Sequence, residues 1–415
     1  MSAHWNKIIG PGVMFAATAI GVSHLVQSTT AGALFGLSLL GFIVLANVLK
    51  YPFFEFGTRY AAATGKSIIE GYYELHKGWL IIYLIVTVIS MFFVTAAVGI
   101  VAIGFMEHLF GLSEWTGFSK ATHLLLFIGS ALLLIWGRFN VLERLVKLLG
   151  IVLLVTTVVA FSLAMVKQPQ GVSSFQALFP PLSTDAWAFL LPLMGWMPTA
   201  IDLSAWNSLW TIEKVKTSGY KPTVKESVKE FGIGYWISAV LALLFLVMGA
   251  YLVFGTGKIV PQEAASFSAF VVELYTTTLG RWATLLVGAA AFSIMFSTFI
   301  TILDGYSRAM TASLPLVWNT IQPSKRLNAL IVLLVAFGGL LLIISFENNP
   351  DGFRSLINTA TTLSFIVAPI IALLNFRLVR SDKIGKENAP GKWLIVLSWL
   401  GIFYLIAFCF GYLFF

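Results

Sequence analysis

Asp202 and His24 are the titratable side chains that this sequence sets in apolar surroundings, each beside a disturbance of the chain. Asp202 follows Pro198 by four residues in the run Met197-Pro198-Thr199-Ala200-Ile201-Asp202, and His24 closes the run Gly21-Val22-Ser23-His24. A carboxylate in an apolar run is costly unless a partner or water meets it, which makes Asp202 a functional candidate. It serves equally as a structural acid that pins the half-helix starting there, its charge favoured by the N-terminal dipole. His24 is either a hydrogen-bonded core residue or a protonation switch, since histidine titrates near about pH 6.5. Ser23, Thr29, Thr30, Thr199, Ser204 and Asn207 add hydroxyls and an amide near the same two places. They suit the binding of a polar organic solute, or the bridging of helices through carbonyls. Trp196 and Trp206 either wall a cavity or pack against lipid or neighbouring helices.

Such groups must be carried on long apolar elements. Hydrophobic residues make up 58% of the 415 and charged residues 11%, too few charges to coat a soluble protein of this size. The apolar runs are continuous rather than alternating, so a β-barrel is excluded and the chain must cross lipid as α-helices. Eleven spans are predicted, over 8–34, 36–62, 79–110, 121–137, 139–165, 185–212, 231–255, 280–312, 326–346, 353–379 and 392–414. No linker is long enough or low enough in complexity to hold a soluble domain. Cys409 is the single cysteine, so neither an intramolecular disulfide nor a thiolate metal site is available. Gly10-Pro11-Gly12 opens the first segment behind a thin basic flank, which does not fit a cleavable signal.

Two spans carry breaks. Gly21-Val22-Ser23-His24 interrupts the first, because a glycine beside a β-branched residue and a serine propagates a helix poorly. Pro198 interrupts the sixth, removing a donor and crowding the preceding turn. Either break alone reads as a packing kink. Breaks in corresponding members of two five-helix halves point to a substrate site at the bilayer midplane, where freed backbone groups face a cavity.

Of the 26 Lys and Arg, only Lys120, Lys167, Lys258, Arg281 and Arg354 fall in one alternate set of loops. The remainder fall in the other set, so the expected orientation has a cytoplasmic N-terminus and an extracytoplasmic C-terminus, in a bacterial inner membrane.

At these residues the chain resembles the Nramp family (natural resistance-associated macrophage proteins) of proton-coupled divalent metal transporters. The anchors are Gly10-Pro11-Gly12, the four residues Gly21–His24, Ala31-Gly32-Ala33, the stretch from Phe35-Gly36 to Thr64-Gly65-Lys66, and Met197-Pro198-Thr199 where the family has Met-Pro-His. The resemblance implies an all-α membrane protein of LeuT-type fold working by alternating access. Its eleven helices would form one transmembrane domain over 1–415: repeats at about 8–165 and 185–379 related by inversion, and an extra helix at 392–414. The departures bear on function. Gly21 stands where the family's Asp-Pro-Gly-Asn motif has its metal-binding Asp, and His24 where it has the Asn. Met197 keeps the family's methionine ligand, Met194 takes the position whose carbonyl also binds metal, and Thr199 replaces the histidine. Val88, Thr95 and Val98 stand where the family's third span carries the carboxylates of its proton route. A hard divalent ion leaving water needs oxygen ligands and negative charge. Gly21 supplies neither, and its loss of a side chain is expected to enlarge the site. In the implied fold the helices bearing His24 and Asp202 are neighbours, which makes these two the candidates for proton coupling.

The other polar groups read as framework. Asp304 and Arg308 are spaced as a stabilising pair. Lys50, Glu55 and Arg59 read as a second set with snorkelling heads, and the Lys run from 214 to 229 with Glu226 and Glu230 as a solvated segment against headgroups. Glu107 and His108 sit near the extracytoplasmic end. No Walker loop, protease spacing or basic nucleic-acid patch is present, so neither an enzyme nor a nucleic-acid binder is expected. No cofactor is implied, and the partners are the bilayer and a small-molecule or ion substrate, with a monomer as the simplest assembly. The leading reading is a secondary transporter of a non-metal polar or organic solute, bound by Gly21, Val22, Ser23, His24, Met194, Met197, Thr199 and Asp202. One alternative is a divalent-metal transporter with a relocated site of His24, Met197 and Asp202. The other is a non-transporting membrane sensor.

Overall fold

A computed structural model describes residues 5–412 except 138, 167–170, 348 and 350. Arg138 and Lys167, counted above for orientation, lie outside the described residues. Among these residues the chain is helical with no strand, as a backbone without water to bond requires. The first span is α1 (Pro11–Ala19), a π-helical segment Ser23–Ser28, and α2 (Thr29–Phe35). Continuous helices follow: α3 (Leu40–Thr64), α4 (Lys77–Phe110), α5 (Ala121–Trp136) and α6 (Phe139–Val166). The sixth span is α7 (Thr184–Gly195), a short 3₁₀ turn Ile201–Leu203, and α8 (Ser204–Ser218). Then come α9 (Val224–Leu252), α10 (Ala264–Leu279), α11 (Thr284–Val317), α12 (Lys325–Phe346), α13 (Gly352–Val379) and α14 (Lys392–Tyr412).

Seven of the described helices are long and apolar enough to cross a membrane unaided. The first and sixth spans fall short because each is cut into pieces. Both cuts lie where glycine and proline predicted them: Ile20 leaves helical geometry at ψ 73° after α1, and α7 stops at Gly195, ahead of a cis Met197–Pro198 bond. Two features escaped the sequence. α9 begins at Val224 rather than 231, started by a capping box of Thr223 and Glu226. The helix α10 occupies a stretch left between spans, its Ala264 carbonyl seated where a β-carbon on Gly104 would lie.

The first span lies against α9 along its whole length, at contacts that only glycine allows. A β-carbon on Gly234 would sit 2.0 Å from the Gly12 carbonyl oxygen, and one on Gly32 would sit 1.9 Å from that of Leu246. Close backbone approach of this kind is how helices associate in lipid, where hydrophobic burial gives no preference for protein over acyl chain. Glu230 completes the joint. Instead of lying in solvent, it is 5% exposed and accepts from the Gly10 amide at 2.9 Å and the Gly12 amide at 2.9 and 3.0 Å. A carboxylate there satisfies amides that the first turn of α1 cannot pair and opposes its positive dipole end. Asp304 and Arg308 pair as their spacing predicted, at 2.7 Å, with the Trp210 indole nitrogen donating to Asp304 at 3.1 Å. Outside the spans, Lys383 and Lys66 bond Glu74 and hold its carboxyl below the usual range.

Glu230→Ala is expected to destabilise the protein by on the order of 2–3 kcal/mol, because it strands buried amides. A thermal melt in detergent checks this, and a melting temperature equal to wild type would show that the joint is dispensable.

Candidate functional site

The two breaks face each other. The Ser23 hydroxyl lies 3.1 Å from the Pro198 carbonyl oxygen, joining the first span to the sixth. Between the breaks is a cavity of about 20 Å³ lined by Thr18, Val22, Ser23, Trp196, Thr199 and Thr298, with Val98 among the apolar walls. That is room for about one water, so the path between the half-helices is closed here.

The structure brings some of the expected site residues together and separates others. Val22, Ser23 and Thr199 line the cavity, and Gly21 abuts it. The expected enlargement at Gly21 does not occur. Thr298 of α11 fills the space, its Cγ2 2.7 Å from where a β-carbon would lie. Its hydroxyl donates to the Ala17 carbonyl at 2.8 Å, an acceptor near the end of α1. Trp196 is a cavity wall whose indole donates to Ser364 at 2.8 Å, whereas Trp206 packs on Tyr306 with ring centroids 4.6 Å apart.

His24 and Asp202 do not pair. His24 is fully buried and turned to α9, its Nε2 2.8 Å from the Ser238 carbonyl and its Nδ1 2.7 Å from the Ser23 hydroxyl. A carbonyl can only accept, so Nε2 carries hydrogen. Asp202 faces α4 and α11 instead. Ser90 donates to it at 3.5 Å, and Tyr72, Tyr83 and Tyr306 lie within its electrostatic reach. The backbone around His24 departs from regular helical periodicity, at Ile20 and again through the π-helical turn Ser23–Ser28. Met194 is drawn off too: the Tyr404 hydroxyl contacts its sulfur at 2.8 Å. Of the three residues proposed for a relocated metal site, His24 and Asp202 thus bond to groups on different helices. Among the described residues no three of His, Cys, Asp and Glu lie close enough together to hold a metal ion.

Lys50 is a further residue whose place differs from the sequence reading. Rather than snorkelling beside Glu55 and Arg59, which pair with each other at 3.0 Å, it has no exposed surface. Its ammonium donates to the carbonyls of Met194 at 2.9 Å, Gly195 at 3.0 Å, Met197 at 3.0 Å and Thr199 at 3.2 Å. It thus closes the break of the sixth span from α3, with Asp202 as an electrostatic partner. The available signal was its position: a cation ten residues into an apolar helix, too deep for its head to reach either end.

Comparison with known proteins agrees with this architecture. The family model described as natural resistance-associated macrophage protein-like matches residues 12–415. The chain belongs to the Nramp family. An uncharacterised protein of Pasteurella multocida (strain Pm70) is 34% identical over 402 residues, which span 96% of this chain and 90% of that one. Among solved structures, a variant of the Eremococcus coleocola manganese transporter matches with a TM-score of 0.72 at 17% identity, covering 98% of this chain and 86% of the other. MhsT in complex with L-phenylalanine matches with a TM-score of 0.60 at 14% identity, covering 96% and 98%. The chain is thus an all-α integral membrane protein of LeuT-type fold, and its family and solved neighbours are transporters.

The packing of Thr298 against Gly21 yields a direct test. Gly21→Asp is expected to cost on the order of 1–3 kcal/mol, since the new side chain must displace Thr298. Combining it with Thr298→Ala should regain part of that loss. Melting temperatures of both variants decide, and a Gly21→Asp protein as stable as wild type would mean that the groove is open.

Proposed function

We propose that this chain is an alternating-access secondary transporter whose cargo is a small polar organic solute rather than a transition metal. The carrying observation is the lining of the cavity between the breaks. Its polar groups are the hydroxyls of Thr18, Ser23, Thr199 and Thr298, with the Trp196 ring as a wall, and among the described lining residues none has a carboxylate. Hydroxyls and freed backbone groups bond a neutral or zwitterionic solute well. A divalent ion losing its hydration shell would find no negative charge there to offset the loss. In the closed form the cavity holds no solute, so cargo enters when the half-helices part. On this reading spans one to five and six to ten are the two inverted repeats, the lysine-rich ends face the cytoplasm, and Gly21, Val22, Ser23 and Thr199 meet the solute. Asp202, buried on Ser90 beside three tyrosines, is the acid through which proton coupling would run, with His24 holding the first span to α9.

Purified protein in liposomes, screened for solute and Mn²⁺ flux, tests the proposal. Solute flux without Mn²⁺ flux is expected, and Asp202→Asn should lower it by at least about tenfold while leaving the melting temperature near wild type. Mn²⁺ flux that Met197→Ala abolishes would overturn the solute reading. Binding without flux of any cargo would favour a sensor.

A further inference from the structure

We infer that Lys50 is a tethered cation: its ammonium fills the carbonyl nest at the break of the sixth span and makes that site reject free metal ions. This deepens the solute reading by naming the residue that excludes metal, and it rests on separate geometry. The nest consists of the carbonyls of Met194, Gly195, Met197 and Thr199, all within 3.2 Å of one nitrogen. A ring of carbonyl oxygens replacing a hydration shell is how a protein holds a bare cation. Two of these carbonyls, from Met194 and Gly195, end α7 and carry the negative end of its dipole, which favours a positive charge.

The ammonium is also saturated. It has three N–H donors, and four carbonyls surround it, so no donor is left for a substrate anion. Lys50 is therefore no ligand of the cargo but a fixed part of the site. Asp202 is its electrostatic partner of opposite sign. A divalent ion at the Met197 or Thr199 carbonyl would meet a like charge in a low-dielectric interior, and such a contact discriminates by repulsion rather than by missing ligands. Burying a lysine is costly, and the four carbonyls with the carboxylate offset that cost here.

The test uses the full chain in detergent, with wild type, Lys50→Gln and Lys50→Ala, titrated with Mn²⁺ and with methylammonium at constant ionic strength. Glutamine keeps neutral donors for the carbonyls and removes the charge, so it separates a tethered cation from a simple hydrogen-bond cap. Wild type should show no saturable response to either cation. Lys50→Gln should bind Mn²⁺ at least about tenfold more tightly than wild type. Lys50→Ala, if it folds, should melt lower and recover saturably with methylammonium. A Lys50→Gln protein that melts like wild type with no cation response would overturn the inference, as would saturable Mn²⁺ binding by wild type, an arm that does not depend on variant yields. Failure of solute flux in liposomes, with the cation responses as expected, would remove the transport reading and leave this one standing.

Discussion

A helix that ends inside a bilayer exposes carbonyls that no water can reach, and each must find a donor within the protein. At the sixth span that donor is a single lysine from α3, which takes four such oxygens at once. The first span meets the same constraint in a dispersed way. Thr298 takes the Ala17 carbonyl, and the Ser23 hydroxyl approaches the carbonyls of Ala19 and Pro198. Lys50 and Thr298 bring donors to the breaks from other spans, and Ser23 serves both breaks from within its own.

This economy bears on what the site can hold. A bound metal ion would solve the same backbone problem by taking the carbonyls as ligands, and it would arrive and leave with each cycle. A covalently attached ammonium solves it permanently. The other features agree: Gly21 has Thr298 against it, the Met194 sulfur is engaged by Tyr404, and Asp202 points away from the cavity. Each change alone is compatible with a modified cation site. Taken together, they leave hydroxyls and peptide groups facing the cavity.

The spans were legible in the sequence because lipid imposes long apolar runs, and the breaks because Gly21 and Pro198 punctuate those runs. Partnerships across the breaks were not legible. Lys50 looked like a snorkelling lysine because nothing in α3 itself reveals that a broken helix passes beside it. His24 bonds Ser238 of α9 rather than Asp202, a partner that periodicity counted through a break cannot reveal. Thr298 carried no signal, being one of many hydroxyls on an apolar helix. Glu230 misled because a glutamate in a lysine-rich stretch reads as solvated, whereas the amides of Gly10 and Gly12 lie far away in the chain and adjacent in space.

The contacts of the first span with α9 occur at three levels: Gly12 on Gly234 with Glu230, His24 on Ser238, and Gly32 on Leu246. These levels lie below, at and above the break, so both pieces of the span are fastened to one uninterrupted rod. A pivot at Gly21 would have to tear backbone contacts on one side or the other. The first span and α9 are thus packed as one unit on both sides of the break.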